Sequence, residues 1–530
     1  MIARRPVTIG AALVAILAAG LLAGCGDSSS PNPNDSKTLT VLAGSEVKDL
    51  VPLLPDIKSA TGVSLVLTYS GTLEGAEAIA GGANTDVAWF SSGNYLSLLP
   101  GAGSRVVAQQ KIMLSPVVIG VKKSVADKFG WTNNPNVTWR DIEAKSADGS
   151  VRFAMTNPAA SNSGLVALIG VASALSGSSD SIDTGTIDKT ALRAFFKGQA
   201  LTAGSSGFLA DSYVRDQDTV DGIVNYESIL MSLNAGGKLH EPLVLVYPKE
   251  GIVTADYPFM LLNAAKRDAY DKVTAYLRTS DVQKRIMTDT LRRPAIPGIP
   301  LDPRFTSQTL IELPYPAKLE TIDALITAYL DEVRKPASAV FVLDLSGSMQ
   351  GDRLDNLKAA MKALTGTDAS ITGKFSRFRA HEQVTIVTFA SQVEDVHEFT
   401  IDDTNPSGPD MTAIRDYIDA LHTYDSTAIY SGLEQAYGVV AKSQASDPNR
   451  LYSIVLMTDG ENNAGVDPDQ FGRDYGALDP AVRAVHVYPV LFGDASKDAM
   501  TSIATLTGGT VFDATTTSLL TIFKQIRGYQ

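Results

Sequence analysis

The sequence predicts an α/β protein organised as two large units joined by a proline-rich segment. Three observations carry that prediction. At 530 residues the chain is too long for one core, and length alone allows about three or four units. From Thr38 onward short apolar runs alternate with helical stretches, the pattern of βαβ units around a largely parallel sheet. A second series opens at 339–343, AVFVL, whose unbroken apolar character marks a strand buried on both faces. With 44% hydrophobic and 19% charged residues the composition is that of ordinary globular material and excludes wholesale disorder. A net charge of −13 argues against nucleic acid as a partner and leaves no basic patch for anionic lipid.

The start of the chain stands apart from the fold. Arg4 and Arg5 precede an apolar run at 7–22, too short and too rich in Ala and Gly for a spanning helix, so residues 1–24 are expected to be a secretory signal. The run closes on Leu22, Ala23, Gly24 and Cys25, which resembles the bacterial lipobox. That resemblance implies cleavage before Cys25, lipidation of its thiol, and a body anchored to the cell membrane outside the cytoplasm. Residues 25–37 are polar, with Pro, Ser and Asn, and read as a flexible tether. Cys25 is the single cysteine, so no disulfide can form within the chain.

Between 38 and 300 the expected order is a strand at 39–44, a helix at 46–60, a strand at 63–71, a helix at 73–82 and a strand at 86–92. IMLSPVVIGVKKS then gives two apolar segments meeting at Ser115-Pro116, and a strand leads into NPAASNSG. An apolar helix at about 165–175, strands within 242–251 and 257–265, and one or two closing helices complete the series. This order resembles the extracellular solute-binding proteins of bacterial ABC importers. The local phrases that carry the resemblance are Tyr69-Ser70-Gly71, Leu114-Ser115-Pro116, Asn157-Pro158 through Gly164, and Tyr226-Glu227. It implies a two-lobed, periplasmic-binding-protein-like (type 2) domain with crossovers near 112–116 and 240–247 and a cleft between the lobes.

In that cleft Ser70, Gly71 and Thr72 would lead into one helix, and Ser161 and Ser163 into another. Hydroxyls and unpaired backbone N–H groups at two helix N-termini favour a small polar or anionic solute, although any helix needs such caps. Ser91, Ser92, Ser115 and Tyr226 are further cleft candidates on the same plan, while Trp89 and Phe90 are expected in the core. No lysine or arginine adjoins Ser70 or Ser161 in sequence, so an ionised ligand would rely on backbone dipoles or distant charges.

Residues 301–335 read as a connector. Prolines between 294 and 316 stiffen it, and TIDALITAYLDEVRK places Ile322, Leu325, Ile326, Tyr329 and Leu330 at helical spacing for docking on a domain. The last domain spans 336–530. Its first strand delivers Asp344, Ser346 and Ser348 into a glycine-bearing turn, at the carboxyl end where open α/β sheets bind ligands. Hard oxygen donors of this kind suit a divalent cation. A second phrase, Asp425-Ser426-Thr427, precedes a helix, and a third, Thr458-Asp459-Gly460, ends a buried strand.

In this order the three loops resemble the metal-ion-dependent adhesion site of von Willebrand factor A domains, except that the family usually has glycine where this chain has Ser426. The resemblance implies a Rossmann-like, six-stranded fold and a metal set of Asp344, Ser346, Ser348, Thr427 and Asp459. It would hold magnesium, with manganese or calcium also permitted, and leave one position open for an acidic residue of a protein partner. Asp425 could add charge there or be a solvated loop residue.

The sequence therefore points to a lipid-anchored extracytoplasmic protein that binds or adheres through a metal site and carries a solute-binding-like module. The alternative is a solute receptor of an ABC-type importer or sensing system whose outer domain is regulatory. Catalysis is not expected. No G-x-S-x-G elbow with a partnering histidine and acid stands out, the five histidines lack helical zinc spacing, and the metal loops have no general base beyond their ligands.

Overall fold

In the computed structural model, which describes residues 35–177 and 181–530, the strands fall into three sheets. The expected signal at 1–24, Cys25 and most of the 25–37 tether lie outside the described residues.

The first sheet runs in the order Ser64–Tyr69, Thr38–Ala43, Val87–Trp89, Pro258–Leu261, Ala108–Lys111. The first three strands pair in parallel and the last two antiparallel. The helix expected at 46–60 is split into a 3-10 stretch, Ser45–Leu53, and an α-helix, Leu54–Thr61. Pro52 explains the split, since it has no N–H to offer a continuing α-helix.

The second sheet is centred on Met113–Lys122, one continuous strand where two segments were expected. Pro116 is tolerated because its neighbour at that point is the two-residue edge strand Thr254–Ala255. The first crossover falls at 112, between Ala108–Lys111 and Met113–Lys122, as expected. The second falls later than the expected 240–247. Leu243–Val246 still pairs with Met113–Lys122, and the chain re-enters the first sheet only at Pro258–Leu261. An apolar run so close to the crossing satisfies its backbone in the second sheet before it leaves.

The third sheet is six-stranded, in the order Val393–Thr400, Gln383–Phe389, Ala337–Asp344, Leu451–Thr458, Val487–Leu491, Phe512–Asp513. All pairs are parallel except the outer Val393–Thr400, whose exposed Asp395 and Glu398 discourage pairing with another chain. Alternate residues of Ala337–Asp344 serve opposite faces. Phe341 and Leu343 pack with Leu357, Met361 and Ile414, while Val340 and Val342 pack with Leu433 and Tyr437. Helices on both faces make this the Rossmann-like plan that the sequence predicts.

The connector docks as its spacing predicts. Its helix, Leu319–Ala328, and the π-turn Tyr329–Val333 bury Ile322, Leu325, Ile326, Tyr329 and Leu330 in the same cluster as Leu168 and Phe196 of the second lobe. Apolar continuity goes further, for Ala203, Leu209 and Tyr213 of the second lobe share a cluster with Tyr488, Phe512 and Tyr529. Glu382, 1% exposed, sits between Arg334 and Arg527 at this seam. Glu77 of the first lobe accepts the N–H groups of Ile371 at 2.6 Å and Thr372 at 3.0 Å. No helix among the described residues is long and apolar enough to cross a membrane.

Candidate functional site

Two central strands of the third sheet, Ala337–Asp344 and Leu451–Thr458, lie side by side in parallel register, so their carboxyl-terminal loops are neighbours. Asp344 ends the first, fully buried. One of its oxygens accepts the Ser346 N–H at 2.7 Å and the other the Thr458 hydroxyl at 2.6 Å. Burial raises its carboxyl above the ordinary range, the Thr458 and Ser346 hydrogen bonds pull it back, and the charge of Asp459 adds to the rise. The Ser346 and Ser348 hydroxyls stand 3.0 Å apart, and Ser348 donates to Asp459 at 2.7 Å.

Thr427 arrives from the second of the three loops, ahead of the helix Ile429–Ser446. Its hydroxyl and that of Ser348 lie 3.6 and 3.7 Å from the point where a Cβ on Gly460 would stand, a point that glycine leaves open. Asp344, Ser346, Ser348, Thr427 and Asp459 therefore meet at one end of the sheet. Asp425 lies at the rim, its Oδ1 3.8 Å from the Cβ position of Gly347. Ser426 has φ 63°, so the serine takes the left-handed conformation that glycine adopts freely. The loop keeps its course at a local cost of roughly 1–2 kcal/mol.

Three partners go beyond the sequence reading. Thr458 steadies Asp344, and Asn463 fixes the Thr427 loop, accepting its N–H at 2.7 Å and donating to its carbonyl at 2.9 Å. Arg353, at the start of the helix Asp352–Lys362, bridges Asp459 and Asp494, the latter at 2.7 Å. Gly493 makes room for it. Its φ is 57°, and a Cβ there would stand 2.9 Å from the Arg353 guanidinium carbon. A basic residue soon after Asp344 is the only sequence signal for this contact. Among the described residues no group of three or more histidine, cysteine or acidic side chains is placed to hold an ion; the loop cluster combines two carboxylates with three hydroxyls.

Between the two lobes, Ser70, Gly71, Thr72 and Ser161 line a cavity of about 220 Å³. Two helices, Thr72–Ala80 and Asn162–Ser176, begin there, and neither has a side-chain cap. The lobes are in close contact, since a Cβ on Gly71 would stand 3.0 Å from the Ala160 carbonyl oxygen. The other cleft candidates lie outside the lining, their hydroxyls engaged elsewhere. Ser163 bonds Ser206 at 2.8 Å and Thr156 at 2.9 Å, and Tyr226 donates to Ser91 at 2.9 Å across the lobes. Ser92 accepts the Asn94 N–H, and Ser115 accepts that of Ser228 at a helix start, each at 3.2 Å. Trp89 and Phe90 are core, as expected.

The cavity has a third wall that no local reading of residues 38–300 could supply. It comes from the far end of the chain, where the helix Leu519–Ile526 and the turn Arg527–Tyr529 contribute Lys524, Arg527, Gly528 and Tyr529. Gly528 fits against Gly204 because a Cβ there would stand 2.8 Å from the Gly204 Cα.

Two family models match the regions on either side of the connector. Residues 39–289 match the family described as bacterial extracellular solute-binding protein, and residues 339–525 match the von Willebrand factor type A domain. Inter-alpha-trypsin inhibitor heavy chain H1 from Sus scrofa is 26% identical over 132 residues, 24% of this chain and 13% of that protein. The chain thus spans about an eighth of the length of that curated relative, whose proportion covered is 13%. Among solved structures, the periplasmic binding protein AfuA from Actinobacillus pleuropneumoniae, with fructose-6-phosphate bound, is 14% identical at a TM-score of 0.42, covering 56% of this chain and 99% of that one. A von Willebrand factor type A protein from Catenulispora acidiphila is 17% identical at a TM-score of 0.29, covering 37% and 43%. The chain joins a two-lobed bacterial extracellular solute-binding domain to a von Willebrand factor type A domain of Rossmann-like fold.

Proposed function

We propose that this chain is an extracytoplasmic binding protein that captures a protein partner through a divalent ion at the loop end of its von Willebrand factor type A domain, and that it catalyses no reaction. The observation that carries this reading is the convergence of Asp344, Ser346, Ser348, Thr427 and Asp459 from three loops, all with oxygen donors. Such a donor set fits a hard cation such as magnesium, with manganese or calcium as alternatives. A bound ion would supply positive charge and one open position for an outside carboxylate.

The chain's own residues prepare that event. Thr458 and Arg353 hold the outer oxygens of Asp344 and Asp459, which fixes the carboxylates in place. The hydroxyls of Ser346 and Ser348 bond each other and Asp459, so they can turn their lone pairs inward without backbone movement. The solute-binding family supports a location outside the cytoplasm, and lipidation at Cys25 would anchor the body there. Palmitate labelling of the parent, lost in Cys25→Ser, tests the anchor; equal labelling of both would overturn it.

The metal reading is tested by calorimetric titration of the full chain with manganese chloride. One ion per chain is expected, with uptake weakened at least about tenfold in Asp344→Ala and Asp459→Ala while circular dichroism is unchanged. A peptide bearing a single glutamate should be retained by the loaded parent and released by chelator. Equal manganese uptake by parent and variants would overturn the proposal.

A second reading, a solute receptor of an importer or sensing system, is favoured by the cavity at the cleft. The outer domain would then regulate, since it forms part of the cavity wall.

A further inference from the structure

The cavity between the lobes sits where two uncapped helix N-termini meet, which by itself would suit an anion. Its own side chains alter that expectation. Glu74 lies in the first turn of Thr72–Ala80 and accepts the Ser70 hydroxyl at 3.1 Å. Glu46, on the first lobe, reaches across the cleft to Ser206, first residue of the helix Ser206–Asp216, at 3.5 Å. Two carboxylates of the chain thus already stand at helix N-termini around the space.

The two cations of the lining are also committed. Lys524 is paired with Asp368 at 2.6 Å and bonded to Ser370 and Thr372 at 3.0 Å. Arg527 is paired with Glu382 at 2.7 Å and bonded to the Ser376 carbonyl at 2.9 Å. Two acids against two bases leave the lining without net charge. What the lining leaves unpaired is different in kind. Asn162, 2% exposed, has an amide oxygen with no donor, and Tyr529, 6% exposed, has a hydroxyl with no partner. The first is an acceptor, so its complement must bring a hydrogen, which fully ionised sulfate or phosphate lacks. Unpaired buried polar atoms are costly, and a ligand that pairs them recovers that cost. Around them Phe208, Phe375, Phe512 and Tyr529 offer ring surface. A volume of about 220 Å³ is below the roughly 300–1,000 Å³ typical of drug-sized sites, so the occupant is small.

Resting on the receptor reading of the cleft, we infer that this cavity binds a small uncharged molecule carrying hydroxyl or N–H donors and a compact apolar face, such as a polyol or monosaccharide, and that Asn162 of the solute-binding domain and Tyr529 of the von Willebrand factor type A domain hold it jointly. Because both domains contribute to the lining, occupancy and domain docking stabilise each other.

The test is thermal unfolding of the full chain with separate additions, each at 10 mM, of myo-inositol, D-glucose, D-ribose, sulfate and putrescine. At least one uncharged compound is expected to raise the midpoint by about 2 °C or more, and that rise should fall by at least half in Asn162→Ala and in Tyr529→Phe. General solvent effects of a polyol would act equally on parent and variants, so an equal rise in all three proteins overturns the inference. A rise with sulfate or putrescine alone overturns the uncharged class while leaving a receptor. Loss in Asn162→Ala but not in Tyr529→Phe overturns the joint site. No rise with any compound overturns both the inference and the receptor reading.

Discussion

At the cleft, the hydroxyls of Thr156, Ser163 and Ser206 are buried and bonded to one another, and Tyr226 ties one lobe to the other through Ser91. At the loop end of the third sheet, Ser348 is exposed, and its hydroxyl leads to a carboxylate that is itself held from outside by an arginine. The same residue types thus close one region and, in the other, reach solvent through Ser348 while Asp344, Ser346, Thr427 and Asp459 stay buried. The difference lies in what surrounds them. Thr156, Ser163 and Ser206 have partners within the second lobe and Tyr226 has one in the first, whereas loop hydroxyls have only each other and two acids. Polar side chains at a cleft therefore report closure as readily as ligand contact, and only those left unpaired point to a ligand.

The largest effect should come from the buried ion pairs behind Arg527, which lines the cleft cavity. Glu382→Ala leaves the buried guanidinium groups of Arg334 and Arg527 without their carboxylate, at a cost of about 3–5 kcal/mol in urea unfolding. Manganese uptake at the loop end should stay at the parent value; a parallel loss would show that the two regions are not separable. Acid should act through the same residue. Burial raises the Glu382 carboxyl, but Arg527 and Arg334 outweigh it and hold the group below its ordinary value of 4.5. Its contribution is therefore full above pH 4.5 and is lost as pH falls through the lower folded value, and Glu382→Gln should flatten that limb of a stability–pH curve.

At the loop end the expected changes are smaller. Thr458→Val removes the hydroxyl on buried Asp344 and should cost about 1.5–3 kcal/mol in urea unfolding and weaken manganese uptake. Unchanged uptake would mean that Asp344 needs no such support. Ser426→Gly relieves the left-handed serine but loosens the unfolded chain, for a net gain of about 0.5–1 kcal/mol in the same assay. A loss instead would assign the serine side chain a role of its own. Asp323→Asn, which breaks the partly exposed pair with Lys374 at 2.9 Å, should change stability by less than about 0.5 kcal/mol.

The strands were legible wherever apolar runs ended at polar turns, as at Ala337–Asp344 and Leu451–Thr458. Period and composition decide those elements locally. The loop cluster was legible for the same reason, because each of its residues sits at a strand end or helix start. Arg353 was not, since its contact with Asp459 depends on the register of two parallel strands and on the space above Gly493. The split at Pro52 was in plain view as a proline, whereas the late return to the first sheet was hidden. An apolar run such as 243–246 does not reveal which sheet will accept it. The third wall of the cavity was the least accessible to sequence, because it joins residues near 160 and 528 that only the packed fold brings together.

One shared apolar cluster separates the borders that sequence draws from the borders that packing draws. Ala203, Leu209 and Tyr213 belong to the same apolar cluster as Tyr488, Phe512 and Tyr529. Produced singly, either half would present this greasy face to water and tend to clump or recruit chaperones. The proline-rich joint thus separates two family matches but not two cores, and the two halves are best handled as one piece.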